Sequence, residues 1–372
     1  MNTQFLQTLT LEIFGASHAE CIGVKMGGLP AGEVIDLDAL YRFLARRAPG
    51  NNPFGTARRE ADLPIFRSGL TLSADGKTAV TDGGELFAVI ENHDARSADY
   101  PPMDVPRPSH ADYTAFVKYG GDVDLRGGGK YSGRMTAPLC IAGGIALQIL
   151  ARRGIFIGAH IARLGGIADT PFDPCAVTVS DFRRACYDGE TARPLPVMSD
   201  SARAEMTALL GKVRAAGDSV GGVIECAVLG LPVGLGDHPF FGLENRISHV
   251  AFAVPAVKGI EFGAGFAAAE MFGSQCNDPF RTDGERIFTA TNHSGGIQGG
   301  MSNGMPLIFR VAVKPTPSIA LEQQSVSLSR MENTTITVGG RHDPCICPRA
   351  VPVIEAVAAI AALDAMAMIN EK

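Results

Sequence analysis

The sequence predicts an α+β fold in which most of the sheet is antiparallel. Short apolar runs are separated by turns rich in glycine and proline, which is the pattern of strands joined by tight connections. Longer stretches carry helical periodicity, but they do not alternate regularly with the strands. A doubly wound parallel sheet requires that alternation, so a Rossmann-type sheet is not supported.

The first elements are a strand and a helix. Residues 5–14 have the mixed alternation of a strand that runs into a turn at Gly15. Asp36 is a favoured N-cap for the helix that follows, because apolar residues recur at helical spacing from Leu37 to Leu44. Pro49 ends this helix and leaves Arg46 and Arg47 in its last turn, where cations suit the helix dipole.

The remaining elements alternate between the two types without a fixed period. Residues 76–92 are predicted to form short strands with turns, and the Ala/Gly-rich segment 132–154 a helix whose small residues allow close packing. Later predictions follow the same signals: a helix at 201–216, a strand with a glycine-punctuated loop at 220–236, a helix meeting a strand at 243–263, a strand with a proline-set loop at 306–318, and a buried helix at 350–368.

Composition restricts the partners and the compartment. The net charge is −6, so a general nucleic-acid binder, which would be basic, is not expected. Eight cysteines are scattered without a CxxC pair, which gives zinc and thioredoxin-type sites little support. No signal peptide is visible at the N-terminus, and free thiols then favour the cytoplasm. Pro352, Glu355 and Asp364 interrupt the most apolar stretch, so a membrane span is not predicted.

Glycine is unusually frequent, with 44 residues against roughly 26 expected at the usual ~7%. Many of these glycines surround polar side chains, and backbone N–H groups next to Lys, Arg and Ser can crowd an anion. One such segment is typical of an ordinary surface turn. Six of them in an acidic protein predict a polyanionic ligand with a large planar or phosphorylated partner; they lie at 15–19, 107–113, 126–134, 292–306, 314–318 and 339–345.

The sequence does not support two catalytic motifs that it partly resembles. A P-loop is not supported at 127–132, because Tyr131 follows Lys130 and the first glycine of the motif would fall on Asp124. The segment at 15–19 is similar to a G-x-S-x-G nucleophile elbow, which needs a strand-to-helix turn. Here strand and turn signals continue after it, and the adjacent Ser17 and His18 cannot easily hydrogen-bond as nucleophile and base.

Taken together, the polar segments resemble the motifs of the chorismate synthase family. The family pattern G-E-S-H-G corresponds to "GASHA" at 15–19, R-P-G-H-A-D to "RPSHAD" at 107–112, and G-G-G-R-S-S-A-R-E-T-A to "GGGKYSGRMTA" at 127–137. Four further segments match in the family's order: "PAVKGIEFG" at 255–263, "SGGIQGG" at 294–300, "KPTPSI" at 314–319 and "GRHDPC" at 340–345.

This resemblance implies a fold and a reaction. Similar proteins are single-domain β-α-β sandwiches in which antiparallel sheets enclose helices, so residues 1–372 are expected to form one domain although length alone suggests two. They convert 5-enolpyruvylshikimate-3-phosphate to chorismate by a 1,4-anti elimination of phosphate, the last step of the shikimate pathway to the aromatic amino acids. They require reduced FMN and are usually homotetramers. The chain lacks a dinucleotide fingerprint, so reduced FMN is expected from an external flavin reductase rather than from built-in NADPH-dependent reduction.

The resemblance also implies roles for individual residues. His110 would protonate the leaving phosphate, His18 would supply a proton beside the reduced flavin, and Asp343 would assist proton removal. Histidine suits such roles because its ordinary pKa lies near 6.5. The substrate carries two carboxylates and a phosphate, for which guanidinium groups are suitable partners. The residues expected to bind substrate are Ser17, Arg46, Arg47, Arg134 and Arg341; those expected to contact the flavin are Lys130, Tyr131, Ser132, Pro255, Ala256, Gly299, Lys314, Pro315, Thr316, Pro317, Ser318 and again Arg341.

The chain departs from the family pattern at several positions. Ala16 and Ala19 replace Glu and Gly, Lys130-Tyr131 replaces Arg-Ser, Ala48 takes the place of the third arginine before Pro-Gly, and a further family arginine falls at or near Pro53. Each lost charged hydrogen bond weakens substrate binding by about 1–3 kcal/mol. Two alternatives therefore stay open: a diverged flavin- or anion-binding protein without lyase activity, and a lyase for a related phosphorylated enol.

Overall fold

The computed structural model describes residues 6–50, 52–55, 60–92, 104–121, 124–339 and 343–367. The helices in these ranges are α1 (Leu37–Arg47), α2 (Asp112–Tyr119), α3 (Thr136–Arg152), α4 (Val179–Cys186), α5 (Asp200–Ala215), α6 (Leu243–Phe252), α7 (Gly273–Cys276) and α8 (Cys347–Ala367). Short 3-10 segments span Arg126–Tyr131, Gly133–Met135 and Gly265–Glu270.

The strands form two main layers and several hairpins. They are β1 (Thr10–Gly15), β2 (Cys21–Gly27), β3 (Val34–Asp36), β4 (Ile65–Ser68), β5 (Leu70–Leu72), β6 (Thr78–Thr81), β7 (Leu86–Glu91), β8 (Phe156–Leu164), β9 (Ile167–Ala168), β10 (Tyr187–Asp188), β11 (Thr191–Ala192), β12 (Gly222–Leu229), β13 (Val257–Phe262), β14 (Phe280–Thr282), β15 (Ile287–Thr289), β16 (Ile297–Gln298), β17 (Met301–Ser302), β18 (Leu307–Val313), β19 (Gln323–Ser327) and β20 (Glu332–Ile336).

The layers are arranged as a sandwich of sheets around helices. One side consists of the sheet β1-β2-β7-β4 together with the sheet β3-β6-β5, and the other side is the sheet β13-β18-β12-β8-β9. Helix α3 packs on β2, β3 and β7, α8 packs on β8 and β12, and the two helices pack on each other. All strand pairs in the described ranges of both layers are antiparallel. The predicted α+β sandwich of antiparallel sheets and enclosed helices is confirmed.

Small residues allow the two central helices to approach closely. A Cβ atom added to Gly143 of α3 would lie 2.2 Å from the Cβ atom of Ala356 on α8. Both helices are apolar enough and long enough to cross a membrane, but most of each apolar window, 83% for Gly133–Arg152 and 89% for α8, is buried inside the fold. They are therefore core helices, as predicted for the segment at 350–368.

The acidic residues that interrupt α8 are buried and paired. Asp364 accepts hydrogen bonds from the backbone N–H groups of Thr8 (3.0 Å) and Leu9 (2.9 Å) and forms an ion pair with Arg246. Glu355 is paired with Arg46 (2.6 Å). A buried carboxylate is stable only when such partners replace water. These contacts fix α8 against the segment before β1 and against α1.

Several predicted elements agree with the structure and some were missed. Helix α1 begins after Asp36, whose carboxylate accepts the N–H of Ala39 (2.8 Å) as an N-cap. The first strand was predicted from residue 5, but β1 begins only at Thr10. Helices α2 and α4 were not predicted. The sequence signal that precedes α4 is Thr178 followed three residues later by Asp181, whose carboxylate accepts hydrogen bonds from the backbone N–H (2.9 Å) and the hydroxyl (2.8 Å) of Thr178.

A buried histidine lies between two carboxylates in the five-stranded sheet. The Nδ1 atom of His160 is 3.0 Å from Asp169, and its Nε2 atom is 3.0 Å from Glu225 on the neighbouring strand. Burial lowers the pKa of His160, but hydrogen bonds to the two carboxylates outweigh it and raise the pKa above the ordinary value. Burial raises the pKa values of Asp169 and Glu225, and the imidazole lowers both on balance. The folded protein therefore binds the proton of His160 more tightly than the unfolded chain does.

The raised pKa of His160 predicts how stability depends on pH. A proton held more tightly in the folded state stabilises that state fully below the unfolded pKa, about 6.5, and the contribution is lost as pH rises through the folded pKa. We expect the difference in unfolding free energy between wild type and His160→Gln to be largest near pH 6 and to shrink at higher pH. Urea unfolding at a series of pH values measures it, with exposed His238→Gln as the control. A difference that does not change with pH would contradict this assignment.

Candidate active site

A cleft of about 570 Å³ lies between loops from several elements. This volume is in the usual range for a small-molecule site, about 300–1,000 Å³. Six segments contribute to its wall: the β1–β2 turn, the approach to α2, the glycine-rich 3-10 segment, the end of α6, the loop after β18 and the start of α8. Residues distant in sequence therefore meet at one site.

The turn that carries Ser17 and His18 packs against three consecutive glycines. Gly127, Gly128 and Gly129 all have positive φ angles, and the carbonyl of Gly129 accepts the N–H of Ser17 (3.1 Å). A Cβ atom on Gly127 would lie 2.6 Å from the imidazole of His18. The glycines are required here because their backbone is left-handed and because the histidine ring occupies the space of a side chain.

His110 is held by an ion pair at its inner nitrogen. Its Nδ1 atom is 2.5 Å from Asp112, which also accepts two hydrogen bonds from the side chain of Arg107. Burial raises the pKa of Asp112, but its bonds to Arg107 and His110 outweigh that effect and lower the pKa strongly. The carboxyl is therefore ionised, so the proton in this contact belongs to Nδ1. The Nε2 atom lies on the side of the ring that faces Gly128, where an added Cβ would be 3.4 Å away.

Asp343 lies on the wall formed by the start of α8. Its Oδ2 atom accepts a hydrogen bond from Arg349 (2.7 Å), and Arg349 also donates from Nε to the carbonyl of Arg47 (3.0 Å). Burial lowers the pKa of Arg349 despite the neighbouring carboxylate. Asp343, Arg349 and the end of α1 are thus fixed relative to one another.

Two buried arginines in the cleft wall share one carboxylate. Asp62 is 2.6 Å from Arg47 and forms a second ion pair with Arg134, which also pairs with the buried carboxylate of Glu60 (2.9 Å). Burial raises the pKa of Asp62, but the two guanidinium groups outweigh that effect and hold its pKa below the ordinary value. Arg47 also donates to Thr136 and to the carbonyl of Gly133. The Nη2 atom of Arg134 is buried and has no hydrogen-bond partner in the described part of the chain.

The loop after β18 supplies further polar groups. Lys314 donates to the carbonyl of Ser109, and its pKa is lowered by burial and by the nearby Lys258. Thr316 lines the cleft with a buried hydroxyl for which the described residues provide no partner. Ser318 accepts a hydrogen bond from Arg107 (3.2 Å), which joins this loop to the segment that carries His110.

A cluster of aromatic rings surrounds Lys130 at the edge of the cleft. Its Nζ atom donates to the hydroxyl of Tyr119 (2.8 Å) and lies 5.5 Å from the ring centre of Tyr131. The hydrogen bond from Lys130 lowers the pKa of Tyr119 to about 8. The positions where the family has Arg-Ser are thus occupied by a lysine held between two tyrosines.

Most of the predicted site residues line this cleft. His18, His110 and Asp343 are all on its wall, although their individual roles remain predictions. The other predicted residues that line it are Ser17, Arg47, Arg134, Lys130, Tyr131, Ser132, Pro255, Ala256, Lys314, Thr316, Pro317 and Ser318.

A few predicted residues lie elsewhere. Arg46 does not line the cleft: successive helical residues project about 100° apart, and Arg46 lines a second cavity of about 310 Å³ together with its partner Glu355. Gly299 lies in the β16–β17 turn and Pro315 is exposed, and neither lines the cleft. Arg341 lies outside the described residues.

Sequence reasoning missed four charged residues that shape the site. Arg107 and Arg349 line the cleft, while Asp112 and Asp62 hold its histidine and its arginines. Arg107 and Asp112 lie within the motif that contains His110, so that motif was a usable signal. The pairing of Asp62 with Arg47 and Arg134 gave no local signal, because it joins three segments that are separate in the sequence.

The fold and this cleft define the class of protein, an enzyme with a small-molecule cleft lined by histidines, arginines and a carboxylate. Comparison with known proteins gives the family. The chorismate synthase family model matches residues 9–367. A protein of Lancefieldella parvula named chorismate synthase is 44% identical, with 98% of this chain and 96% of that protein covered.

Other relatives agree with this assignment. A chorismate synthase of Korarchaeum cryptofilum is 39% identical over 97% of this chain and 96% of its own length. A crystal structure of chorismate synthase superimposes with a TM-score of 0.74 at 25% identity, covering 97% of this chain and 92% of that one. The chain belongs to the chorismate synthase family, a family of carbon–oxygen lyases that act on phosphate.

Gly127→Ala tests whether the glycine turn positions His18. We expect loss of activity of at least about 10-fold, because the new methyl group displaces the imidazole, together with about 1–2 kcal/mol of backbone strain. Phosphate release and urea unfolding measure the two effects. Gly154→Ala is the matched control, since Gly154 also has positive φ but an added Cβ meets nothing within 4 Å. Equal activity of the two variants would contradict the role of this turn.

Proposed function

We propose that this chain converts 5-enolpyruvylshikimate-3-phosphate to chorismate and phosphate in the cleft described above, with reduced FMN. The observation that supports this proposal best is the presence of His18, His110 and Asp343 on the wall of one cleft, beside the buried guanidinium groups of Arg47 and Arg134. Similarity of sequence motifs alone does not show that these groups meet in one cleft.

The charges around the cleft suit a trianionic substrate. Arg107, Arg134, Arg349 and Lys314 line it, and each is fixed by a contact within the protein. Asp62 and Glu60 balance the charges of Arg47 and Arg134, so the excess positive charge comes from Lys314 and Lys130, which line the cleft and donate to neutral groups. The Nη2 group of Arg134 is the clearest donor for a carboxylate or phosphate oxygen, since it is already dehydrated and has no partner in the described residues.

His110 is the proton donor to the departing phosphate in this proposal. Cleavage of the allylic C–O bond leaves charge on the phosphate, and a positioned acid lowers the barrier. The Asp112 contact fixes the proton on Nδ1, so the proton that can be transferred is the one on Nε2. Arg107 holds the carboxylate of Asp112 in place.

The residues of the cleft fit reduced FMN. Lys314 and the unpartnered hydroxyl of Thr316 suit its phosphate, and the glycine turn with Tyr131, Pro255 and Ala256 offers a surface for a flat ring. Reduced FMN, when bound, supplies the electron-rich ring that the family requires without net redox change. His18 holds a proton on the flavin side of the cleft. Asp343, which is fixed by Arg349, assists removal of the proton from the ring of the substrate. An external flavin reductase provides the cofactor.

The chain is proposed to act as a single domain in the cytoplasm and as a homotetramer. One core cluster contains residues from Leu6 to Ala365. Several large apolar side chains between residues 240 and 287 are exposed, including Phe240, Phe266, Phe272 and Ile287, and we infer that they contribute to an interface between protein chains. We expect light scattering to give four times the 39.1 kDa of one chain, and Phe266→Asp with Phe272→Asp to reduce that mass. A monomeric wild type would contradict this assembly.

The reaction is tested by anaerobic phosphate release. We expect purified wild type to release phosphate and form chorismate only when reduced FMN is present. His110→Ala should lower kcat by about 10²–10⁴-fold, as for the loss of a general acid. His238→Ala, which changes an exposed histidine away from the cleft, is the control.

Two results would contradict the proposal. Binding of FMN without release of phosphate would favour a diverged flavin-binding protein, and full activity of His110→Ala would remove this residue from the mechanism.

A second candidate function is favoured by Ala48, a buried residue at a family arginine position. If a related phosphorylated enol is the substrate, the enzyme will release phosphate faster from at least one member of a small panel of such compounds than from 5-enolpyruvylshikimate-3-phosphate.

A further inference from the structure

Asn92 joins two parts of the cleft wall that are distant in sequence. It directly follows β7, and its side-chain nitrogen donates to the carbonyls of Ala16 (3.2 Å) and Ala19 (2.7 Å). Its side-chain oxygen accepts a hydrogen bond from Nε of Arg134 (2.9 Å). Its backbone N–H donates to the carbonyl of Glu20 (3.0 Å). One residue thus contacts both ends of the turn that carries Ser17 and His18.

The chemistry of these partners requires a side-chain amide. The two carbonyls only accept and a guanidinium only donates, so the amide must present its NH₂ to the turn and its oxygen to Arg134. An aspartate would keep the acceptor but place a carboxylate against two carbonyl oxygens. A serine or threonine has only one proton to donate. The contacts therefore use the particular donor and acceptor arrangement of asparagine.

We call the hydrogen bonds of the Asn92 side chain the clamp. The clamp fixes the orientation of both groups that it contacts, the turn at 16–19 and the guanidinium group of Arg134. The turn at 16–19 is held at each end, so His18 keeps its place against Gly127. The guanidinium of Arg134 is held at Nε by Asn92 and at Nη1 by Asp62, and its Nη2 atom is the one without a partner in the described structure. Two fixed nitrogens on a planar group determine the direction of the third.

We propose that Asn92 is a positioning residue that holds His18 and Arg134 in a fixed relation across the cleft. Its effect on catalysis rests on the proposed function, in which His18 acts beside the cofactor and Arg134 binds the substrate. Asn92 itself neither exchanges a proton nor contacts the reacting atoms in this proposal.

Hydrogen exchange tests the clamp without substrate or cofactor. We expect Asn92→Ala to increase deuterium uptake in peptides covering 16–20 and 132–136, because each loses a fixed contact. Asn92→Asp keeps the acceptor for Arg134 and removes both donors, so uptake should rise at 16–20 and stay unchanged at 132–136. This second variant also decides the question if Asn92→Ala does not fold.

Gln148→Ala is the matched control for the loss of an amide clamp. Gln148 accepts from the backbone N–H of Asp36 (2.8 Å) and donates to its carbonyl (2.9 Å), and it does not line the catalytic cleft. We expect its removal to change stability without changing exchange at 16–20 or kcat. If Asn92→Ala and Gln148→Ala have the same effects, Asn92 has only a structural role and the proposal is wrong.

A double-mutant cycle shows whether Asn92 acts through His18. Asn92→Ala alone should lower kcat by up to about 100-fold, as a displacement of about 1 Å does, and should raise KM through Arg134. In a His18→Ala background the further loss in kcat should be much smaller, because the group being positioned is absent. Additive losses would overturn the proposal. A wild type that releases no phosphate would count against the proposed function alone, and the exchange experiment would still decide on the clamp.

Discussion

The cleft depends on keeping two guanidinium groups charged inside the protein. Arg47 and Arg134 are almost fully buried, 2% and 5% exposed, and two such cations near each other repel. Asp62, itself 3% exposed, contacts both and makes their burial tolerable. Glu60 pairs with Arg134 as well, so the two cations are balanced by two carboxylates, and the guanidinium N–H groups that remain available are what an anionic ligand meets. Thr136, Gly133 and Asn92 satisfy most of the remaining N–H groups, so the cations cannot turn toward solvent.

The helix layer connects this charged wall to the core. The 3-10 segment that carries Arg134 runs directly into α3, α1 ends at Arg47, and α8 begins just after Asp343. Because α1, α3 and α8 pack on one another between the sheets, the three walls share one rigid support. The two acids within α8 serve a different purpose, since Glu355 and Asp364 fasten the same helix to α1 and to the segment before β1. Packing and catalysis are thus linked through a small number of helix ends.

The sequence was sufficient for the fold class and for most cleft residues, because these follow local patterns and ordered motifs. Helix α1, the Ala/Gly-rich α3 and the buried α8 all carry strong signals. Helix α2 is short, with an exposed Tyr113 and Val117, so its apolar pattern is weak. The difference between Arg46 and Arg47 could not be read locally either. Both arginines suit a helix terminus. Arg46 is held away from the cleft by its ion pair with Glu355, more than 300 residues later in the sequence, whereas Asp62 holds Arg47 in the cleft wall.

The central place of α8 has a consequence for biosynthesis. It is the last described element to leave the ribosome, yet both sheets and the other core helices pack around it or on its neighbours. Until it is translated, the apolar inner face of β8 and β12 lacks most of its helical cover. Native topology is therefore reached only after α8 has been translated, and the nascent polypeptide must stay soluble with exposed strands until then, a state in which chaperone contact is favoured.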